Sequence, residues 1–342
     1  MPRSSAWLEA AAAAHSDLAP TWTGQGVTVQ RVCGGANNAL YCVDVGGERI
    51  ACKLCVDDER RRARREFEAL RILEATGLDV APQPLWLDER CTVVSYPAVA
   101  YRWVSGSPLG PELTSRQLAA LVASIQRIHR LRPGDLAGYE LSDAWFHWFD
   151  FEPYLDELRG QLSEHGPWLI DTERRGPELF ARLERLVEAC ALVVASSDAD
   201  PRREQVPRRL CRVDPGLANA LWCDDGRLRW VDWEYSGWGD PALELADLRW
   251  HASLEGLSST EHDWLRDSYR RPSGDAGFEE RLAVWDRLIS TRWACLILRW
   301  LWSAHAGPDR ERLTLPRADV GALRGRLFRF TERAERVVLE EG

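Results

Sequence analysis

Asn219 and Asp232 carry side-chain oxygens that could share a divalent cation, and Asp214 lies five residues before Asn219. Amide and carboxylate oxygens are ligands of small hard cations such as Mg²⁺. A further carboxylate beside them can take the proton of an attacking hydroxyl, as in phosphoryl transfer. The pattern D-x4-N…D therefore predicts Asp214 as the base and Asn219 and Asp232 as metal ligands. The alternative is that Asn219 and Asp232 only end two strands.

The segment between these residues predicts the β-hairpin that would position them. Two short apolar strands flank Asp225-Gly226, a dipeptide typical of a type I′ turn, in which both central residues need a positive φ. A two-residue turn there would pair position 222 with 229 and place Asn219 opposite Asp232. Directly opposed Cβ atoms lie about 5 Å apart, so we expect the two side chains to share one cation.

Lys53 is the single lysine among 44 basic residues, all the others being arginine. A chain that uses arginine almost everywhere predicts that this lysine lies where a compact ammonium is needed, such as between phosphate oxygens. It falls on the third of three strands predicted over residues 27–55. Gly34 and Gly35 form the first turn between these strands, where a backbone without side chains can approach phosphate groups. No GxxxxGK[ST] motif is present, which excludes a Walker-type loop.

These motifs carry a family resemblance. Asp214-x4-Asn219 followed by DWEYSGWGDPALELA from Asp232 resembles the aminoglycoside phosphotransferase and choline kinase superfamily, in particular its choline- and thiamine-kinase-like branches. The segment GGANNALY from Gly34 resembles the nucleotide loop of the choline-kinase-like proteins. The family usually has His-Gly or His-Asn before the catalytic aspartate, where this chain has Arg212-Val213.

The resemblance implies an α+β, two-lobed protein-kinase-like fold. Its small β-rich N-lobe would comprise residues 1–104, and its larger, mainly helical C-lobe residues 105–342. It also implies ATP and Mg²⁺ as cofactors, with Asp214 catalytic and Asn219 and Asp232 binding the metal. The residues implied in nucleotide binding are Lys53 with its partner Glu66, Gly34, Gly35, Asn38, and the hinge backbone at Arg102 and Val104.

Helical periodicity predicts the elements that hold these residues. A helix capped by Asp57 or Asp58 and ended by Gly77 would carry Glu66 beside its buried face and turn Glu68 away. A second helix is expected from Thr114, which has capping-box spacing to Gln117. His129, at the end of this helix, is interpreted as a structural histidine and not as a ligand. Residues 141–175 are interpreted as irregular, a helix is predicted over about 176–196, and further tryptophan-rich helices after Leu248.

Composition and charge limit the binding partners and the cellular compartment that we expect for this protein. A net charge of −9 disfavours nucleic acid. The charge lies mostly after residue 104, which favours a cationic or amine-bearing substrate, although solubility alone is an equal explanation. Nine scattered cysteines indicate reduced thiols and a cytoplasmic protein. The absence of a long apolar run predicts no membrane span. Some of the 17 tryptophans are expected to face an ammonium group through cation–π contacts.

The predicted reaction transfers the γ-phosphoryl group of ATP to a hydroxyl of a small molecule. Two acceptor classes remain open: an aminoglycoside-like antibiotic, and an amino-alcohol such as choline or thiamine. The alternative is a non-catalytic, nucleotide-binding pseudokinase that regulates a partner, and Arg212-Val213 motivates it. The sequence leaves the oligomeric state open.

Overall fold

The computed structural model describes residues 11, 21–24, 26–32, 38–136, 138–146, 149–197, 206–306 and 319–340. Gly34 and Gly35, predicted to lie in a nucleotide loop, are outside the described residues. Within the described part of the chain, the cysteines are free thiols. No helix of that part is long and apolar enough to cross a membrane.

Six antiparallel strands form the N-terminal sheet, in the spatial order β1-β2-β3-β4-β6-β5. Alternate residues of β2 and β3 are buried, as expected of strands with one face against a core. The strands are β1 (Thr21–Gly24), β2 (Val27–Val32), β3 (Ala39–Val45), β4 (Glu48–Leu54), β5 (Pro84–Asp88) and β6 (Ala98–Arg102). The predicted position of Lys53 on the third strand of residues 27–55 is confirmed, since it lies in β4.

Helix α1 (Arg62–Ala75) packs on β5 and β6 and begins later than predicted. Asp58 does not cap it. The Asp58 carboxylate instead accepts the N–H of Arg60 at 3.0 Å, and its carbonyl accepts the N–H of Arg61 at 3.0 Å. Arg61 then adopts a left-handed φ of 50°, so the helical conformation cannot begin before Arg62. Gly77 ends the helix region with a φ of 67°, as predicted.

Helices dominate the chain after residue 108. The predicted capping box of Thr114 and Gln117 is present at the start of α2. One prediction was wrong: residues 141–175 contain a long helix, α3, whose internal Pro167 and two glycines disguise its periodicity. The helices of this part are α2 (Ser115–Ile128), α3 (Glu152–Thr172), α4 (Gly176–Ser196), α5 (Pro241–Trp250), α6 (Ser259–Ser268), α7 (Phe278–Ala306) and α8 (Val320–Glu335).

Two small sheets connect the helices to the site. Strand β7 (Gly106–Pro108) pairs with β9 (Ala220–Cys223), and β9 pairs with β10 (Leu228–Trp230). Strand β8 (Arg209–Cys211) pairs with β11 (Gly237–Gly239). The N-terminal sheet therefore ends at β6, and β7 already pairs with a strand of the helical part. These pairings favour the proposed division at residue 104, and the predicted α+β class is confirmed.

The β9–β10 hairpin exists, but its predicted register was wrong by one residue. Trp222 pairs with Leu228, not with Arg229. The loop contains three residues, 224–226, and only Gly226 has a positive φ, of 72°. A three-residue loop needs one left-handed residue whereas a type I′ turn needs two, so Asp225 avoids the strained conformation. The Asn219 carbonyl accordingly accepts the N–H of Val231 at 2.9 Å, and Asp232 follows one residue later.

Candidate active site

Lys53 lies at the centre of a buried cluster of carboxylates. Its ammonium Nζ lies 2.7 Å from Glu66 Oε2, 2.6 Å from Asp232 Oδ1 and 3.2 Å from Glu234 Oε2. Strand β4 brings Lys53 to the cluster and α1 brings Glu66. The segment after β10 brings Asp232 and Glu234. The structure therefore brings together Lys53, Glu66 and Asp232 as the sequence predicts.

Glu234 is a member of this cluster to which sequence reasoning assigned no role. It is 2% exposed, and Arg62 donates to its Oε1 at 2.6 Å. The Asn38 amide donates to its other oxygen, Oε2. Asn38 Oδ1 in turn accepts the N–H of Val56 at 3.1 Å. Asn38, which directly precedes β3, thus supports the carboxylate cluster through Glu234.

Within the DWE motif, Asp232 and Glu234 are two residues apart, and Trp233 between them is fully buried. This spacing is the only signal in the sequence that links Glu234 to Asp232. Asn38 belongs to a different part of the chain and directly precedes β3. Only the tertiary fold brings its amide to Glu234. A carboxylate buried this deeply needs such hydrogen bonds and an ion pair to remain charged.

Burial and charge shift the pKa values within the cluster. Burial alone would lower the pKa of Lys53, but the carboxylates of Asp232, Glu234 and Glu66 outweigh it and hold that pKa well above its ordinary value. Burial raises the pKa of Glu66 to about 7, against the lowering effect of Lys53. Lys53 is therefore a permanent cation here, shared by three carboxylates.

Asp214 lies in the loop between β8 and β9 and touches two polar side chains. Asn219 Nδ2 donates to Asp214 Oδ2 at 3.3 Å, and His251 Nε2 lies 3.1 Å from Asp214 Oδ1. Burial would raise the pKa of the Asp214 carboxyl, but the hydrogen bonds from His251 and Asn219 and the charge of Arg212 bring it below its ordinary value. Its side chain is still 39% exposed, so an ionised carboxylate faces the cleft.

His251 is a second residue that sequence reasoning missed. It directly follows α5, 37 positions after Asp214. The Ser253 N–H donates to its Nδ1 at 3.1 Å, which assigns the ring proton to Nε2, facing Asp214. Ser253 Oγ also accepts the N–H of Leu217 at 3.0 Å, and the ring edge of Trp293 packs at a centroid distance of 4.4 Å. His251 is thus fixed in orientation and holds the Asp214 loop from the helical side.

Arg212 supports the same loop from beneath, through backbone carbonyls. Its guanidinium donates to the carbonyls of Asp214, of Val231 at 3.1 Å and of Asp232 at 3.2 Å. Arg212 therefore contacts carbonyl oxygens and not the carboxylates of Asp232 and Asp240. Asp240 is taken by Arg281 at 3.0 Å. A fully buried Arg212 therefore ties the Asp214 loop to the segment of Asp232 without occupying the Asp232 carboxylate.

Val213 occupies a conformation that disfavours its own side chain. Its φ is 59°, and a β-branched residue in the left-handed region is an outlier. The two residues that the related family usually has here, glycine and asparagine, are those that adopt this region most readily. Glu244 holds the backbone in place, since its Oε1 accepts the N–H groups of Arg212 and Val213 at 2.9 Å each.

This strain predicts an inverted ranking of two substitutions at position 213. Alanine and glycine both remove the buried valine side chain, but only glycine is unstrained at a φ of 59°. We expect Val213→Gly to be more stable than Val213→Ala by about 1 kcal/mol, measured by urea denaturation. In the exposed, ordinary helical position 119, Ala119→Gly should cost about 1 kcal/mol. If glycine is less stable than alanine at position 213 as well as at position 119, strain at Val213 is contradicted.

The hinge residues Arg102 and Val104 lie apart from the carboxylate cluster. Arg102 pairs with Ile50 in β4, and Lys53 pairs with Val99. Arg102 therefore lies about 10 Å from the position of Lys53 along the strands. That separation suits a nucleotide with its base at the hinge and its phosphates at Lys53. Both hinge residues also line a cavity of about 380 Å³, which includes none of the cluster residues.

The donor set fits a magnesium ion. Asn219 and Asp232 offer oxygen ligands, which Mg²⁺ prefers. Because the Asn219 amide nitrogen donates to Asp214, its carbonyl oxygen remains for a cation. Lys53 and Arg62 contact three carboxylates, those of Glu66, Asp232 and Glu234. The Asp232 side chain is 36% exposed, so its carboxylate is accessible to a divalent cation.

A small antiparallel N-lobe above a helical C-lobe, with a lysine–glutamate pair facing an aspartate–asparagine loop, defines a protein-kinase-like phosphotransferase. The sequence model of the phosphotransferase enzyme family matches residues 28–276, and the chain belongs to this family. Among curated proteins, none matches the sequence.

Solved structures show the same fold at low sequence identity. Spectinomycin phosphotransferase in complex with ADP and spectinomycin has a TM-score of 0.60 at 15% identity, covering 92% of this chain and 93% of that chain. A choline/ethanolamine kinase family protein of Mesorhizobium loti has a TM-score of 0.58 at 19% identity, covering 97% and 94%. The choline kinase of Streptococcus pneumoniae has a TM-score of 0.54 at 18% identity, covering 95% and 96%. The predicted protein-kinase-like fold is confirmed.

Proposed function

We propose that this protein transfers the γ-phosphoryl group of ATP to a hydroxyl of a small, amine-bearing molecule. The observation that carries the proposal is the pairing of Lys53 with Glu66 and Asp232, which Arg212 links to the loop of the Asp214–Asn219 contact. An ammonium, two metal-ligand oxygens and an ionised carboxylate are the groups that phosphoryl transfer uses. Family membership supports the reaction class.

Each of these residues has one task in the proposed reaction. Asn219 and Asp232 would hold Mg²⁺, which when bound neutralises charge on the β- and γ-phosphate oxygens. Lys53 donates to phosphate oxygens, and Glu66 keeps its ammonium in place. Asp214 accepts the proton of the attacking hydroxyl as the new O–P bond forms. Most of the acceleration then comes from orientation and from charge stabilisation in a site organised before the substrate arrives.

The surroundings of Asp214 support an amine-bearing acceptor. Trp293 packs against His251, and Trp300 meets Trp293 edge to face at 6.0 Å. Asp247 is nearby, within 3.3 Å of the Trp293 indole nitrogen. Aromatic faces and a carboxylate attract an ammonium group through cation–π and ionic contacts. Spectinomycin phosphotransferase and the choline kinase share the fold of this chain, and their names describe amine-bearing acceptors.

The test compares amino-alcohols with their carbon isosteres. The purified protein with Mg-ATP should phosphorylate members of a panel of amino-alcohols and aminoglycosides. For an active member such as choline, 3,3-dimethylbutan-1-ol replaces the charged nitrogen by carbon at nearly the same shape. We expect kcat/KM for the cation to be at least about tenfold higher. Equal rates for the pair would reject the amine preference, and no transfer to any hydroxyl would reject the function.

His251 should act as a positioning residue for Asp214. Glutamine at position 251 keeps a donor that can reach Asp214, whereas alanine removes it. We expect His251→Ala to lower kcat about tenfold or more, since misplacing a catalytic group weakens transition-state contacts, with little change in KM for ATP. His251→Gln should restore part of the loss. If both variants fall equally in kcat and in melting temperature, the role of His251 is only structural.

A further inference from the structure

A basic cavity lies on the helical part of the molecule, outside the carboxylate cluster. Its volume is about 330 Å³, and none of the residues assigned to phosphoryl transfer lines it. The end of α2, strand β8 and the segment after α6 surround it. Five arginines contribute to its wall: Arg130, Arg132, Arg209, Arg270 and Arg271.

Arg209 distinguishes this cavity from an ordinary basic surface. It is only 5% exposed, and its Nε is buried without a hydrogen-bond partner. Buried guanidinium groups are normally paired with a carboxylate because an unpaired buried charge is costly. Burial and the neighbouring charge of Arg132 lower the pKa of Arg209, against the opposite effects of Asp275, Tyr269 and Asp135. Arg209 Nε is therefore a buried donor that no acceptor in the described part of the chain satisfies.

The nearby carboxylates do not supply that anion. Asp275 is bound by Arg281 at 2.8 Å, and Asp135 is exposed. In the described part of the chain, none of the five arginines forms an ion pair with a carboxylate. Arginine is this chain's usual cation, so its choice over lysine carries no weight here. What distinguishes this site is the clustering of five arginines around one cavity and the unpartnered, buried Nε of Arg209.

We propose that this cavity binds a small phosphate-bearing anion. Arginine forks match the oxygens of a phosphate group, and the volume suits a compact ligand with one or two phosphates. The concave shape, with Arg209 buried and four exposed arginines around it, favours such a ligand over an extended polyanion. The site is separate from the ATP site, so it is a second anion site on the same molecule.

The cavity also adjoins the support of the catalytic loop. His129 and Tyr269 line it, and they are hydrogen-bonded to each other at 2.6 Å. His129 Nε2 lies 2.6 Å from Glu244 Oε2, and Glu244 holds the backbone N–H groups of Arg212 and Val213. An anion bound at Arg209 therefore contacts the strand and side chains that precede Asp214.

Calorimetric titration of inorganic pyrophosphate into the full chain tests the proposal. Without divalent cations and with EDTA present, the carboxylates around Lys53 repel pyrophosphate, so the arginine cavity remains as the binding site. We expect one site, with affinity falling as salt increases. Arg209→Gln, and separately Arg132→Gln with Arg270→Gln, should each weaken binding about tenfold or more. Arg90→Gln, an exposed arginine elsewhere on the chain, should bind as the wild type does.

The other outcomes overturn the proposal. No binding to the wild-type protein, or binding by both cavity variants as tight as that of the wild type, would show that the cavity is not a phosphate site. Citrate binding as tightly as pyrophosphate would reject phosphate as the ligand group. An oligonucleotide that binds more tightly, with the same loss in the variants, would replace the small anion by nucleic acid. If circular dichroism shows that Arg209→Gln does not fold, the double variant at the exposed arginines decides.

Discussion

Asp214→Asn is expected to lower kcat by about 10²–10⁴-fold, the usual contribution of a general base. Asparagine has the same shape and can still meet Asn219 and His251, but it cannot accept the proton of the attacking hydroxyl. Since that interaction belongs to the transition state, the affinity for Mg-ATP should change little. Steady-state kinetics with the best acceptor from the panel, together with calorimetric nucleotide binding, measure both quantities.

The pKa shift of Asp214 adds a pH criterion to this experiment. The pKa of its carboxyl lies below the ordinary value of an aspartate, so the base is ionised throughout the neutral range. Loss of kcat from protonation of Asp214 should appear only at acidic pH below that ordinary value, and the defect of Asp214→Asn should be constant between pH 6 and 8. A defect that vanishes as the pH falls from 8 to 6 would contradict the assignment of the base.

Two variants serve as controls for Asp214→Asn. Asp263→Asn makes the same change at an exposed site on α6 and should keep wild-type kinetics. Arg212→Ala removes the ties to the carbonyls of Val231 and Asp232 and should lower activity mainly through loss of stability. If the wild-type protein binds Mg-ATP but phosphorylates no acceptor, and Asp214→Asn is indistinguishable from it, the pseudokinase alternative becomes the better explanation.

The sequence predicts those parts of the site that depend on local periodicity. Lys53 follows from its being the single lysine, and its predicted position on the third strand agrees with β4. The pairing of Glu66 with Lys53 is what the family resemblance implies, and the angular spacing of residues in a helix predicts that Glu68 faces elsewhere. The structure places Glu66 at 2.7 Å from Lys53, whereas Glu68 lies beside Arg64 and Arg71.

The parts that were missed depend on tertiary packing or on a choice between turns. His251 reaches Asp214 only because α5 folds back across the loop, and no local pattern marks it. Arg212 donates to three backbone carbonyls that no local pattern indicates, and Arg281 occupies the nearby carboxylate of Asp240. The hairpin register failed because the dipeptide Asp225-Gly226 is compatible with two loop lengths. In each case the local sequence permits several solutions and the packing selects one.

Lys53→Arg is expected to reduce kcat/KM for ATP by about 10²-fold or more, comparable with the loss of another preorganised electrostatic contact. The charge is kept, but the geometry is not. Nζ fits between Glu66 Oε2 at 2.7 Å and Asp232 Oδ1 at 2.6 Å, and the side chain is only 6% exposed. A planar guanidinium is larger and directs its donors in a fixed fork, so it would displace the carboxylate of Glu66 or that of Asp232. Displacement of Asp232 would also disturb the proposed metal ligand.

The reverse substitution on the same strand provides the matched control. Arg49 lies in β4 at an exposed position, with its guanidinium 2.7 Å from Ser105 Oγ. Arg49→Lys also preserves charge and should leave the kinetics unchanged. A chain in which arginine is nearly universal could retain one lysine by chance, and this pair of variants separates chance from need. If Lys53→Arg, folded by circular dichroism, turns over like Arg49→Lys, the single lysine has no special role. A selective loss in Lys53→Arg would instead show that the site requires a compact ammonium between its carboxylates and the phosphate oxygens.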